Sequence, residues 1–318
     1  MIEISYSRVS LYLSCPYAHY LSYVQQLEPK MPARPLFFGS DFHKLLELRN
    51  SKKQLKQAYK GIKETFYDLP AKSQAILGEN YLDDLKTIFK DYQTIYKDCV
   101  LPDLTEEKFE IPIGKINGEP VNFVGVIDEL YFRDKKTIII GEHKTFSTKP
   151  DLSMLMMNTQ KCLYAKATQK IYGILPQEVM WDYIKSTPSQ EPIWLEKSKR
   201  FSEAKNNNVT PMSYKRACKK LNITDQEILA KADNYEGNIP NFFFRLNVEY
   251  IPDMVERIWD SFKYTAKEIC KNAENNKTMN VTRNCSWCKF QPICYAELTG
   301  GNVNYTIEKD YQQKSKKE

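Results

Sequence analysis

The sequence predicts an α/β fold in one domain. Three observations predict it. Residues 109–144 read as three consecutive strands joined by turn signals. Helical patterns over about 152–172 and 253–275 alternate with the strand-like segments EVMWDYIKS and FFFRLNVEY. No internal repeat or low-complexity block breaks the chain. Its 318 residues sit close to the limit of roughly 250–300 at which a single core stops growing. With 42% hydrophobic and 27% charged residues, a disordered or collagen-like chain is excluded. The net charge of +6, from 46 Lys+Arg against 40 Asp+Glu, permits a nucleic-acid partner without arguing for one.

In chain order, residues 7–25 and 36–49 read as helices separated by the Pro-rich EPKMPARP, with Ser5 or Ser7 as N-cap. Residues 50–100 read as mostly helical, from the apolar spacing in YLDDLKTIFKDYQTIY. FEIPIG (109–114), the turn Asn117-Gly118, VNFVGVIDELYF (121–132), the polar turn 133–136 and TIIIGEHK (137–144) form a meander. A helix over 152–172 stops near Gly173. Strands at 178–186 and 192–198 follow, then a turn-rich 206–208 that opens a helical insert to about 235. A strand at 242–250, a helix at 253–275 and a cysteine segment complete the domain. The polar tail, 299–318, reads as flexible. In the insert, Lys215, Arg216, Lys219 and Lys220 are candidate phosphate contacts.

The meander carries the first chemical signal. If its second turn is symmetric, Asp128 lies directly opposite Glu142 on one face. Two facing carboxylates repel, and a hard divalent cation, Mg²⁺ or Mn²⁺, removes the conflict. Lys144 shares that face by alternation, whereas the His143 side chain points away and leaves its backbone carbonyl available to a metal. A metal site with an adjacent lysine suits metal-assisted phosphodiester hydrolysis.

The second signal is eight Cys against three His. The opening residues lack a secretory signal pattern. No stretch of about 18 apolar residues suggests a membrane span. A cytoplasmic chain is therefore expected, where stable disulfides are rare. Cys99, Cys162, Cys218 and Cys270 stand singly and read as buried thiols, and His19 as a packed core residue. Cys285, Cys288 and Cys294 form C-x2-C-x5-C, one ligand short of a tetrahedral set, and Cys15 near the other end is the candidate fourth. An iron–sulfur cluster, zinc and free thiols all remain open on spacing alone.

Together these residues resemble the PD-(D/E)XK nuclease superfamily, and specifically its RecB-type exonuclease branch with a four-cysteine cluster. Asp128 in GVIDE with Glu142-His143-Lys144 matches the D…ExK signature. FFGSDFHKLLE resembles the G-x-x-x-H element, and TQKCLYA the Q-x3-Y element. The resemblance implies an α/β restriction-endonuclease-like core, a mixed sheet flanked by helices, with helical insertions and a C-terminal Fe–S segment. It implies one nuclease domain over 1–298, divided into N-terminal helices (1–49), a helical insertion (50–105), the catalytic sheet and Q-x3-Y helix (106–200), an insertion with a long helix (201–275) and a cluster segment (276–298). It implies a 4Fe-4S cluster on Cys15, Cys285, Cys288 and Cys294. Mg²⁺ or Mn²⁺ would be held by His43, Asp128, Glu142 and the His143 carbonyl. Lys144 would act on the attacking water, Gln160 would orient Lys144 or that water, and Tyr164 would contact the substrate backbone. The substrate would be DNA, in recombination, repair or phage DNA metabolism, with a helicase or recombination partner. The setting would be the cytoplasm, or the host cytoplasm for a phage protein. Two rival readings are an inactive module that holds DNA ends and a nuclease of CRISPR spacer acquisition. Oligomeric state is not legible.

Overall fold

A computed structural model describes all residues except 32, 50–51, 203–207, 236 and 315–318. The chain opens with β1 (Ile2–Ile4), α1 (Tyr6–Ser14) and α2 (Pro16–His19), which runs into a π-turn over Tyr20–Val24. The Ser5 side chain caps α1 by accepting the Arg8 N–H. Next come β2 (Leu27–Pro29), α3 (Arg34–Glu47), α4 (Lys52–Asp68), α5 (Ala71–Leu77) and α6 (Tyr81–Ile95). The meander is β3 (Leu104–Ile116), β4 (Glu119–Phe132) and β5 (Ile138–Phe146). Its first hairpin turns on Asn117 and Gly118, both at positive φ, the backbone that a two-residue primed turn demands.

Then follow α7 (Thr159–Tyr172), β6 (Glu178–Lys185), β7 (Trp194–Leu195), β8 (Arg200–Phe201), α8 (Pro211–Lys220), α9 (Gln226–Asp233), β9 (Phe243–Glu249) and α10 (Pro252–Asn272). The end of the chain forms α11 (Gln291–Leu298), α12 (Val303–Asp310) and β10 (Tyr311–Gln313).

Six strands make one mixed sheet in the order β1-β4-β5-β6-β9, with β3 also on β4. The pairs β1–β4 and β5–β6 are parallel and the others antiparallel. One face packs on α7 and α10 through residues such as Phe123, Trp181, Leu163, Trp259 and Phe262. The other face packs on α3 and the helical insertion, where Phe42, Phe89 and Tyr92 meet Ile184 and Phe243. These layers make the mixed sheet flanked by helices that the resemblance implies.

Four expectations change. The 152–172 helix begins only at Thr159, because the Asn158 side chain caps it by accepting the Lys161 N–H. The 192–198 strand shrinks to the two residues of β7, which pair with β8 outside the main sheet. The tail is folded as far as Gln313: β10 pairs with β2, and Tyr311 buries itself against Phe290. Apolar Tyr311, Val303 and Ile307 explain this, since they complete a cluster with Tyr17, Leu21 and Ile293. Cys99 is exposed, whereas Cys162 and Cys218 are buried and Cys270 is half-buried. The turn-rich 206–208 lies mostly outside the described residues. Among the described residues no helix is long and apolar enough to cross a membrane.

Candidate active site

The site lies where β4 and β5 part. Their ladder runs from Phe132↔Ile138 to Glu129↔Gly141, the register that places Asp128 opposite Glu142 as the next pair. At that point the His143 N–H donates to the Asp128 carboxylate, Oδ2 at 2.8 Å. A side chain has replaced the ladder carbonyl, so the strands open while Asp128 stays fixed.

β3 adds a third carboxylate. The pairs Thr105↔Glu129 and Glu107↔Ile127 bracket Glu106 opposite Asp128. Glu106 has φ +51, a left-handed backbone uncommon for a glutamate and often found at functional sites. From the insertion side, α3 brings in His43. A Cβ on Gly39, one turn earlier, would stand 3.3 Å from Thr145 Oγ1, so this glycine lets α3 press against β5. His43 Nδ1 lies 3.6 Å from Asp128 Oδ2 and 3.9 Å from Glu106 Oε1. Among the described residues, His43, Glu106 and Asp128 form the one trio with ligand atoms all within 4.8 Å of one another. Sequence reasoning missed Glu106, which precedes the recognised strand. The hairpin register carried back from the turn points to Glu107 instead, because the ladder shifts between Pro112 and Gly114.

On the same row, Glu142 is only 4% exposed. Its Oε1 accepts from Lys144 Nζ at 2.6 Å and from Gln160 Nε2 at 2.8 Å. The Lys144 ammonium also donates to Gln160 Oε1 at 3.1 Å. Glu142 Oε2 is buried with no hydrogen-bond partner among the described residues. Burial and the neighbouring Asp128 charge push Glu142 up to about 7, against the pull of Lys144 and His43. Burial alone would lower His43, but Glu106 and Asp128 outweigh it and hold the imidazole above its ordinary value. Lys144 is likewise held up by Glu142 and Asp128 against its burial. An orphaned buried oxygen on Glu142, the Glu106 and Asp128 carboxylates and the His43 imidazole are a donor set for a hard divalent cation. Tyr164, one turn after Gln160 on α7, packs edge-on to Phe109 at 5.6 Å and is partly buried.

The His143 side chain points to the opposite face, as alternation requires. There it is buried between two carboxylates, Nε2 at 2.9 Å from Glu129 Oε1 and Nδ1 at 3.2 Å from Asp182 Oδ2. Burial would lower it, yet these neighbours push it up to about 10. Arg49 and Tyr131 hold Glu129 as well, at 2.5 and 2.6 Å. Arg245 and Tyr92 hold Asp182, at 3.1 and 2.5 Å. This largely buried network underlies β4 and β5. The carboxylate of Glu129 fits because Gly141 opposite it carries no Cβ, which would come within 2.9 Å.

The four cysteines singled out by spacing line one cavity of about 460 Å³, with no His, Asp or Glu in its lining. Cys15 ends α1, Cys285 lies in a 3-10 turn over Arg283–Trp287 that Cys288 closes, and Cys294 is on α11. Burial raises the Cys288 and Cys294 thiols, and the neighbouring thiols add to it. His19 is packed away between Tyr12 and Tyr23, and burial with Arg8 and Lys314 lowers it to about 4. Of the basic residues in the insert, Arg216 is tied to Asp91 at 2.5 Å and Lys220 to Glu191 at 3.1 Å. Arg216 is therefore engaged within the fold, whereas Lys220 stays 71% exposed in a surface pair.

A family model described as the PD-(D/E)XK nuclease superfamily matches residues 3–295. The chain belongs to the PD-(D/E)XK nuclease superfamily. Two solved structures resemble this superfamily member. SSO0001 shares 14% identity at a TM-score of 0.35, covering 92% of this chain and 86% of that one. A candidate exonuclease from Eubacterium rectale shares 11% identity at a TM-score of 0.47, covering 94% of each chain. No curated protein matches the chain. Superfamily members are nucleases that use divalent metals, and the His43–Glu106–Asp128 group is of the kind that binds one.

Proposed function

We propose that this superfamily member is a metal-dependent deoxyribonuclease of the RecB type, working from the ends of linear or single-stranded DNA. The observation that carries the reading is the convergence of His43, Asp128, Glu142, Lys144 and Gln160 at the fork between β4 and β5. His43, Asp128, Glu142 and the His143 carbonyl would hold Mg²⁺ or Mn²⁺, with Glu106 as a further carboxylate. Such a cation, when bound, polarises the scissile phosphate and lowers the pKa of an attacking water.

The chain's own groups do the remainder. Lys144, steadied by Glu142 Oε1 and Gln160 Oε1, orients the water and offsets charge developing on phosphate. Gln160 donates to Glu142 and accepts from Lys144, so it fixes their relative positions. Tyr164 supports the substrate backbone beside them. His143 keeps the strand of Glu142 and Lys144 locked from beneath.

A four-thiol cavity with no His or carboxylate among its described lining residues suits soft metal centres. Cys15, Cys285, Cys288 and Cys294 would hold a 4Fe-4S cluster, whose role is structural. Protein contacts already dock the two ends there: Tyr17 N–H donates to Thr278 O at 3.0 Å, and Asn280 Nδ2 to Ser14 O at 3.0 Å. The cluster reinforces that junction. Recombinational repair, phage DNA metabolism and CRISPR spacer acquisition each fit the resemblance, with a helicase or recombinase as partner in the first. Product mapping tests the reading. End-labelled single- and double-stranded DNA with Mn²⁺ should give short products growing inward from an end. Binding of DNA ends with no cleavage in any divalent metal would identify an inactive end-binding module instead.

A further inference from the structure

We propose that a small pocket on the insertion side of the sheet is an oxyanion site that accepts a phosphate group. The pocket has a volume of about 120 Å³, and its polar lining is Arg49, Arg245, Lys97, Tyr92, Tyr96 and Gln93. No carboxylate is among its lining residues. It has room for a few waters or one tetrahedral oxyanion.

The two guanidinium groups are pre-positioned. Arg49 Nη1 is anchored on Glu129 Oε1 at 2.5 Å. Arg245 Nη2 donates to Asp182 Oδ2 at 3.1 Å and to the Tyr92 hydroxyl at 2.9 Å. The Arg245 guanidinium also lies 3.8 Å from the centre of the Tyr96 ring. Neither Glu129 nor Asp182 reaches the lining, so the anchoring charges stay on the protein side. Arg245 Nε is buried with no hydrogen-bond partner among the described residues. Two forked guanidinium groups match the geometry of phosphate oxygens. Lys97 adds charge at the rim; its contact with exposed Asp98 is loose, at 3.8 Å.

The pocket lies on the sheet face opposite Glu142 and Lys144, and the inference does not depend on the nuclease reading. The phosphate has two sources of the same chemistry: the free inorganic ion, or the terminal phosphate of a nucleic-acid strand.

The test is calorimetric titration of the full-length protein with inorganic phosphate, at fixed ionic strength and without divalent metal. Saturable binding is expected, about tenfold weaker in Arg245→Gln, from loss of a charge-assisted hydrogen bond. Arg245→Lys keeps the charge that Asp182 needs but loses the fork, and the same weakening is expected if the glutamine variant fails to fold. Competition then separates the sources. Displacement of phosphate by a 5′-phosphorylated oligonucleotide but not by its 5′-hydroxyl form assigns the site to strand ends. Equal behaviour of the two oligonucleotides assigns it to the free ion. No phosphate binding, or binding unchanged in a folded Arg245 variant, overturns the proposal.

Discussion

As a proposed metal ligand, Glu142 should couple divalent-metal affinity to pH. Burial and Asp128 push its carboxyl up to about 7 without metal, and a metal requires the ionised form, so the proton competes with the cation. About nine-tenths of Glu142 is ionised at pH 8 and about one-tenth at pH 6. Apparent affinity for Mn²⁺ should therefore fall about tenfold over that range, or ~1.4 kcal/mol. His43, held above its ordinary value by Glu106 and Asp128, steepens the fall in the same direction. Calorimetric titration at pH 6, 7 and 8, in buffers of differing ionisation enthalpy, reads both the affinity and the protons released. Glu142→Gln should bind Mn²⁺ more weakly at pH 8 and lose much of the pH dependence. The same shift has a sign for stability. Because the folded value lies above the unfolded one, the metal-free fold keeps this contribution below about pH 4.5 and loses it as pH rises through 7. A wild-type Mn²⁺ affinity that is equal at pH 6 and pH 8 would refute the reasoning.

Other outcomes follow from the same contacts. Glu106→Gln should weaken Mn²⁺ binding about tenfold by calorimetry with the melting temperature kept, since it removes one charged ligand. His143→Gln should destabilise the fold by about 3–5 kcal/mol in denaturant titration, because Glu129 and Asp182 lose a shared buried cation. That stabilisation has a pH window. Glu129 is held down to about 2 despite burial, by His143 and Arg49, so its share is present above about pH 4.5 and is lost as pH falls toward 2. His143, pushed up to about 10, contributes fully below about pH 6.5 and loses its share as pH rises through 10. Cys288→Ala should leave the purified protein short of iron and lower its melting temperature, while circular dichroism still reports a folded chain. A complete loss of fold would show that the contacts between Tyr17 and Thr278, and between β2 and β10, do not hold the ends by themselves.

The central strands were legible because each signal was local. Asn117-Gly118 fixes one turn, the polar 133–136 fixes the next, and alternation then sets which side chains share a face. That was enough to place Asp128 opposite Glu142 and to send His143 the other way. Glu106 was not legible for a definite reason. The ladder between β3 and β4 shifts between Pro112 and Gly114. Carried straight back from the turn, the register would have set Glu107, not Glu106, against Asp128. The buried partners of His143 were hidden for another reason. Arg49 in the turn after α3, Tyr92 on α6, Asp182 on β6 and Arg245 on β9 hold this network, and only tertiary packing brings them together. The tail misled because its polar composition outweighed three apolar residues, Val303, Ile307 and Tyr311, that find a ready cluster at the other end of the chain.

The most direct measurement is cleavage of end-labelled linear DNA by the purified protein with Mn²⁺, alongside Glu142→Ala and Lys144→Ala variants of unchanged circular dichroism. The wild type should degrade the DNA. Each variant should be slowed by about 10²-fold or more, the scale expected when a group acting on transition-state charge is removed. A wild type without activity in any divalent metal, or folded variants as active as the wild type, would contradict the assignment of this site.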